Sequence, residues 1–268
     1  NRELVKRGVR SSVISRGGVQ AEHIRDDGGD PVYCDVCSKN PCSVPPRVWR
    51  LRRVLMHLQP DVIHVRSRVP AWLTRLAGRS LKIPVVSTVH GFNSVSPYSR
   101  IMTVADRVVC VSNAVKAYVQ KHYETPEERI AVIHRGVDPE RFDPARLDRD
   151  WMEEFLQRSG LRGQYVVLAA GRISERKDYE TFIRGVAAAG RRDNLVRGVL
   201  VGPCSGNAHA AELKRLAERL DPEHPVLFTG AQQRMAELYA LADVVVSSSR
   251  KPESFGRTLT EALAMETP

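Results

Sequence analysis

Apolar residues along the chain gather in short, nearly unbroken runs rich in Val and Ile. Each run is followed by a stretch where apolar positions return every three or four residues. The runs predict strands at Val9–Ile14, Val62–Arg66, Val85–His90, Val108–Ser112 and Ile130–His134. After a break come Tyr165–Gly171, Val199–Gly202, Val226–Gly230 and Val244–Ser248. Strands with one wet face alternate apolar and polar residues. Continuous apolar runs instead mark strands covered on both faces, the habit of parallel sheets. The stretches between, such as Ala114–His122, Tyr179–Ala188 and Ala211–Leu220, have the spacing of helices with one apolar face. Strand and helix in regular alternation predict an α/β chain with doubly wound parallel sheets.

The polar, strand-free stretch from Phe142 to Asp150 interrupts this alternation. It divides the chain into two expected Rossmann-like domains, residues 1–143 and 144–268. Both read as incomplete. The first opens in a helix around Glu3–Val5 without the strand and tight loop that usually precede one, and the second stops at Pro268 directly after a helix. An internal fragment of a longer protein is expected. No repeat of fixed period appears.

With 42% hydrophobic and 27% charged residues over 268 positions, the chain has an ordinary globular balance, which excludes disordered and fibrous classes. No apolar run approaches the roughly 18 residues of a membrane span. No basic-then-apolar signal segment follows Asn1, so a cytoplasmic setting is expected. The formal charge of +10 changes the picture. Residues 1–100 hold 17 Lys and Arg against 7 Asp and Glu, whereas 101–150 hold 8 against 9 and 151–268 hold 16 against 15. A basic front half suits an anionic partner: a phosphorylated glycan, an anionic membrane face at which the protein sits peripherally, or a nucleic acid. Aromatic residues are only 6% and do not interleave with the basic ones, which argues against a single-strand reader.

Five cysteines make no disulfide framework in a chain of this length. Cys34, Cys37 and Cys42 form a C-x2-C-x4-C cluster, to which His57 or His64 could add a fourth ligand. No second matching pair is present, and a turn-rich loop with reduced thiols explains the cluster as well.

Three stretches at expected strand ends carry candidate chemistry, because ligands of open α/β sheets bind beyond the carboxyl ends of the strands. The first runs from Gly171 through Arg172 to Lys177 and Asp178. Gly171 allows a sharp turn, and two cations precede a helix start, as a diphosphate site requires. A solvated polar loop is the alternative. The second, Pro252-Glu253-Ser254-Phe255-Gly256-Arg257, leads into a helix bearing Glu261. Gly256 permits close approach to the backbone, and the helix start can hold an anion. Thr258-x-x-Glu261 also matches a capping box, which would give Glu261 a purely structural task. The third is Val89-His90-Gly91, where His90 could donate a hydrogen bond to a substrate, with Arg66 and Arg68 ending the preceding strand. A structural histidine and two solvated arginines are the alternative.

Together these residues resemble a family. Gly171-Arg172 with Arg176-Lys177-Asp178, the pair Glu253-x7-Glu261 with Ser254-Phe255-Gly256, and Val132-Ile133-His134-Arg135-Gly136-Val137-Asp138 are similar to the signature of the family 4 retaining glycosyltransferases of the GT-B fold. Ser112-Asn113, Phe228-Thr229-Gly230 and the stretch Leu238 to Asp243 match further landmarks, so the likeness runs from about Asp61 to Pro268. The resemblance implies that Arg172 and Lys177, on the turn made by Gly171, hold the diphosphate of a nucleotide sugar. Glu261 would bind the ribose. Glu253 would meet the donor sugar, helped by backbone N–H groups at Phe255, Gly256 and Arg257, and His90 would lie against the transferred sugar. The sequence departs from the family at Glu266, where Gly is usual, and at Arg135, where Asn is common. The glycine-rich loop near the amino end and the returning terminal helix are absent.

The implied reaction moves a sugar to a glycan or lipid-linked acceptor with retention, and the basic front half alone suggests an anionic acceptor, as in cell-envelope polysaccharide or lipopolysaccharide synthesis. The reaction needs fixed cations and N–H dipoles at the leaving phosphate. No Asp-x-Asp string stands at the candidate strand ends to suggest a metal, and no cofactor beyond the donor is expected. Two other classes fit less of the sequence. A nicotinamide-dependent oxidoreductase would want a G-x-G-x-x-G after a strand, and a basic nucleic-acid binder would want a recognition motif. Neither string occurs.

Overall fold

The computed structural model describes residues 1–18, 20–204, 206 and 208–268. The chain forms two units, Asn1–His134 and Arg135–Pro268. The division falls ahead of the expected 143/144 boundary for a packing reason. Phe142 is buried in the core of the second unit, with Val137 and Leu147 against it, so this polar-looking stretch is anchored to that core.

In the first unit, β1 (Ser12–Ser15) pairs in parallel with β2 (Asp30–Tyr33). A separate four-stranded parallel sheet has the order β3 (Ile63–Val65), β4 (Val85–Val89), β5 (Arg107–Cys110) and β6 (Ile130–Val132). The sequence pattern starts β1 too early, since Val9 is exposed, and it does not show β2 at all. Asp30-Pro31-Val32-Tyr33 lies after two glycines and contains a proline, which lacks the N–H a ladder needs and so hides a short strand. The helices Val44–Leu58 and Arg68–Ala77 pack together, and a cluster of Leu51, Leu55, Leu73 and Ala77 takes in Cys34 and Val36. Cys34 is therefore a core residue, while Cys37 and Cys42 are exposed. Among the described residues no three His, Cys, Asp or Glu side chains come together as a metal site.

The second unit has one parallel sheet, ordered β10 (Val244–Val245), β7 (Tyr165–Ala170), β8 (Val196–Val201) and β9 (Leu227–Gly230). Successive residues of β7 face opposite cores, as the continuous apolar run predicts. Val166, Leu168 and Ala170 join Phe155, Tyr239 and Ala262, whereas Ala169 joins Phe182, Ile183 and Leu213. Helices thus cover both faces. The same device starts the pairing in each unit. The Asp106 carboxylate accepts from the N–H of Val85 (2.8 Å), and the Asp243 carboxylate accepts from that of Val166 (2.7 Å), so an Asp just before one strand secures the first residues of its neighbour.

The order of the second sheet positions the site. From β7 the chain steps outward to β8 and β9, then returns to the other side of β7 as β10. The helices that follow β7 and β10 pack on opposite faces of the sheet, which leaves a crevice between them at the carboxyl ends. Gly202, at the end of β8, lies so close to the carbonyl of Gly171 that a Cβ there would stand 2.1 Å from that oxygen. Glu266 closes the helix Arg257–Ala264 with φ +62°, and the N–H groups of Glu266 and Thr267 bond back to Leu263 and Ala262. This is the left-handed helix ending that glycine adopts without strain, the residue the family resemblance leads one to expect here.

Three substitutions check these assignments by thermal or urea denaturation. Glu266→Gly should stabilise by about 1 kcal/mol, the cost of a left-handed non-glycine residue. Gly185→Ala, in the helix Tyr179–Gly190 with open space around its α-carbon, should stabilise by about 0.5–1 kcal/mol. Gly202→Ala should destabilise strongly. Equal melting of Gly202→Ala and wild type would contradict the close approach of β7 and β8.

Candidate functional site

The loop after β7 is built for a tight exit. Gly171 has φ +145°, and its N–H bonds to the Val201 carbonyl (2.9 Å). Arg172 then points outward and is exposed, and among the described residues it makes no hydrogen bond or ion pair. Ile173 is buried in the core beneath and pins the loop. A single turn, Glu175–Lys177, brings Lys177 back toward the strand end. Asp178 (φ +49°) reverses the chain into the helix Tyr179–Gly190.

The loop after β10 is laced to this one. Ser248 Oγ donates to the Lys177 carbonyl (2.9 Å), and the Arg250 N–H bonds to the Arg176 carbonyl (3.1 Å). The Arg250 guanidinium lies 3.0 Å from the Asp178 carboxylate. That guanidinium, helped by the Thr181 hydroxyl, outweighs desolvation and holds the Asp178 carboxyl below its usual value. Lys177 Nζ donates to Glu253 Oε1 (2.8 Å), Ser249 Oγ donates to the same oxygen (2.7 Å), and Arg176 approaches Oε2 at 3.5 Å. Burial pushes the Glu253 carboxyl upward, but the bonds from Lys177 and Ser249 and the two cations outweigh it and keep Glu253 below its ordinary value. Two residues 76 positions apart therefore form a charged pair at the point where the sheet order reverses.

Beyond Glu253 the chain turns at Gly256 (φ +81°) into the helix Arg257–Ala264. The N–H groups that open it, ahead of the Leu259 and Thr260 bonds to the Gly256 carbonyl (both 3.1 Å), have no acceptor within the helix. Glu261 sits in the second turn, so the capping-box alternative falls. Its carboxylate is nearly buried and accepts from Arg257 (2.8 Å) and from the Tyr239 hydroxyl (3.2 Å) rather than from the helix start. Burial first, and the Glu261 charge next, push the Tyr239 phenol upward, so it stays protonated and donating. A concavity of about 160 Å³ opens here, lined by Arg135, Lys177, Glu253, Ser254, Phe255, Gly256, Arg257 and Thr258. Cationic side chains, a helix start and a carboxylate that can accept hydroxyl protons meet in one hollow. It can take a ligand with anionic oxygens on one side and hydroxyls on the other.

In the second unit the structure thus gathers Lys177, Glu253, Phe255, Gly256 and Arg257 around one concavity, with Glu261 behind it and Gly171 and Arg172 at the neighbouring strand exit. Local spacing in the sequence does not single out Ser249, Tyr179 or Tyr239, whose partners are distant along the chain or do not show in it. Arg135, a departure from the family pattern, also lines the hollow.

His90 belongs to the first unit, directly after β4. Arg66 Nε donates to His90 Nε2 (3.3 Å), so that nitrogen acts as an acceptor there. Arg68 is held by Ser99 (3.1 Å) and lies over the Tyr98 ring at 5.3 Å. Both arginines are therefore tied into the strand ends rather than only solvated. His64, a candidate fourth ligand for the cysteine cluster, pairs instead with the Thr88 hydroxyl (2.7 Å). Desolvation and the Arg66 charge depress its pKa.

Residues 1–141 match the model of Glycosyltransferase Family 4, and residues 152–268 match that of Glycosyl transferases group 1. A D-inositol 3-phosphate glycosyltransferase of Streptomyces avermitilis is 34% identical over 234 residues, covering 78% of this chain and 49% of that protein. The chain spans about half the length of the first such relatives it matches. A glycosyltransferase of Rickettsia africae superposes with a TM-score of 0.89 at 26% identity, covering 99% of this chain and 72% of that one. HepE of Anabaena, solved with UDP-glucose, gives 0.78 at 21% identity over 96% of this chain and 71% of its own, a likeness of fold. The chain belongs to glycosyltransferase family 4 and has the two Rossmann-like units of the GT-B fold.

Proposed function

We propose that this chain supplies the donor site of a retaining glycosyltransferase that moves a sugar from a nucleotide sugar to a glycan or lipid-linked acceptor, without a metal or other cofactor. The observation that carries this reading is the hollow of the second unit. Lys177, Arg257 and the helix start after Gly256 face it, Arg172 stands at the adjoining strand exit, and Glu253 forms part of its wall. In the reaction, the bond between the anomeric carbon and the diphosphate oxygen breaks, and its electron pair leaves with the phosphate. Arg172, Lys177 and the N–H groups of the helix start meet that growing negative charge. The acceptor hydroxyl attacks from the same face, and its proton passes to the departing phosphate oxygen. Glu253 holds hydroxyls of the donor sugar, and Glu261, oriented by Arg257 and Tyr239, holds the ribose. His90, whose Nε2 accepts from Arg66, acts on the transferred sugar.

The acceptor or its surroundings are proposed to be anionic, as a phosphorylated lipopolysaccharide core or a membrane face would be. The first unit holds 21 Lys and Arg against 11 Asp and Glu, while the second holds 20 of each, so the entire +10 excess lies in one unit. Its helix Val44–Leu58 has four arginines and no acid. On it Trp49 is 61% exposed beneath the Arg53 guanidinium (4.8 Å), two turns from exposed Met56. Arginines beside exposed Trp and Met suit the headgroup region of an anionic bilayer. No helix of the described residues is long and apolar enough to cross a membrane, and the proposed location is the cytoplasm and the inner membrane face.

Three measurements on the full-length protein test these proposals. UDP, GDP and ADP, and their sugars, are screened for thermal stabilisation, and one set should raise Tm. Lys177→Ala and Arg172→Ala should each lower turnover by about 10²–10³ while leaving the fold intact, and turnover should persist in EDTA. Wild-type rates in both variants would overturn the diphosphate role, and an inverted anomeric centre in the product would overturn retention. Finally, binding to vesicles containing anionic lipid should weaken with salt and with Trp49→Ala/Arg53→Glu. Binding indifferent to both salt and those substitutions would remove the membrane proposal.

A further inference from the structure

Tyr179 opens the helix after the β7 loop and is only 2% exposed, yet its hydroxyl has no hydrogen-bond partner among the described residues. A buried hydroxyl left unpaired is costly, and phenylalanine would avoid that cost at the same shape. The position of the oxygen suggests what it serves. A Cβ built at Gly171 would lie 2.9 Å from the Tyr179 hydroxyl, 3.2 Å from Lys177 Cε and 3.6 Å from Lys177 Nζ. Hydroxyl and ammonium therefore converge on the bare α-carbon at the exit of β7. The ammonium is engaged elsewhere, on Glu253 at 2.8 Å. Desolvation, with the Glu253 charge behind it, pushes the Tyr179 phenol upward, so it keeps its proton and a lone pair to accept with.

We propose that Tyr179 is a positioning residue whose hydroxyl is the second seat of Lys177. When a bound diphosphate draws the ammonium off Glu253, one of its N–H groups turns to the Tyr179 oxygen while the others reach the phosphate. Three donors on one ammonium permit this, and Gly171 leaves room for the swing because any Cβ there would collide with both partners. The swing also frees the Glu253 carboxylate to accept from sugar hydroxyls. The inference rests on the diphosphate reading of the same hollow and adds to it a residue and a movement.

The test uses the full-length protein and whichever of UDP, GDP and ADP stabilises wild type most. Tyr179→Phe should melt at the wild-type temperature or above when unliganded, because no native bond is lost, yet bind that nucleotide three- to tenfold more weakly. In a Lys177→Ala background the same substitution should leave the affinity unchanged, since the hydroxyl acts through the ammonium. Wild-type affinity in Tyr179→Phe overturns the inference. So does equal weakening with and without Lys177, or a clear fall in the unliganded Tm. If no nucleoside diphosphate binds wild type, the diphosphate reading falls and takes this inference with it, an outcome distinct from the others.

Discussion

The site depends on one contact across the reversal of sheet order in the second unit, the pair between Lys177 and Glu253. Each residue stands on or beyond a short element. Lys177 stands on a single turn between a glycine and a left-handed Asp178, and Glu253 stands on a long exit from a two-residue strand. Exposed ion pairs contribute little to stability, but this one is three-quarters covered and shares its carboxylate oxygen with Ser249. The lacing of the two loops by Ser248, Arg250 and Asp178 surrounds it. What this lacing secures is the position of a cation and an anion beside a helix start, on the wall of one small hollow.

The pairing of Lys177 with Glu253 has a thermodynamic consequence for any anion that enters the hollow. A cation held by a carboxylate is partly desolvated already, so a ligand that replaces the carboxylate loses less on binding than one that must dry a free ammonium. The reverse also holds. A ligand that offers phosphate but nothing to satisfy Glu253 would leave a half-buried carboxylate without its strongest partner. Under the proposed function, the arrangement would favour molecules that carry both anionic oxygens and hydroxyls over those that carry phosphate alone.

Much of the fold is legible in the sequence because a covered parallel strand must be apolar throughout. Tyr165–Ala170 and Val85–Val89 read correctly for that reason, and the helix Tyr179–Gly190 for its spacing. Asp30–Tyr33 is hidden because its proline and glycine-rich approach look like a loop, and only pairing with Ser12–Ser15 makes it a strand. The unit boundary reads several residues late because a lone Phe142 in polar surroundings does not announce which core it will enter. At the site, Gly171, Lys177, Glu253 and Glu261 are visible through their order along the chain, whereas the bonds among them are not. Glu261 illustrates the limit. Its spacing from Thr258 suggests a cap, and only the arrival of Tyr239 from another helix reveals a different set of partners.

The Asp243 carboxylate, which meets the Val166 N–H near the start of β7, sets the phase of everything downstream. A strand of two residues has too little ladder to choose its own alignment, and sliding by one position would turn every side chain to the opposite face. With Asp243 fastened to Val166 at its start, Val245 falls opposite Leu168 and the exit begins at a fixed height above the sheet. The loop that delivers Glu253 is thus indexed from the far end of the strand, away from the hollow. A single carboxylate at the floor of the sheet keeps the rim of the hollow in step.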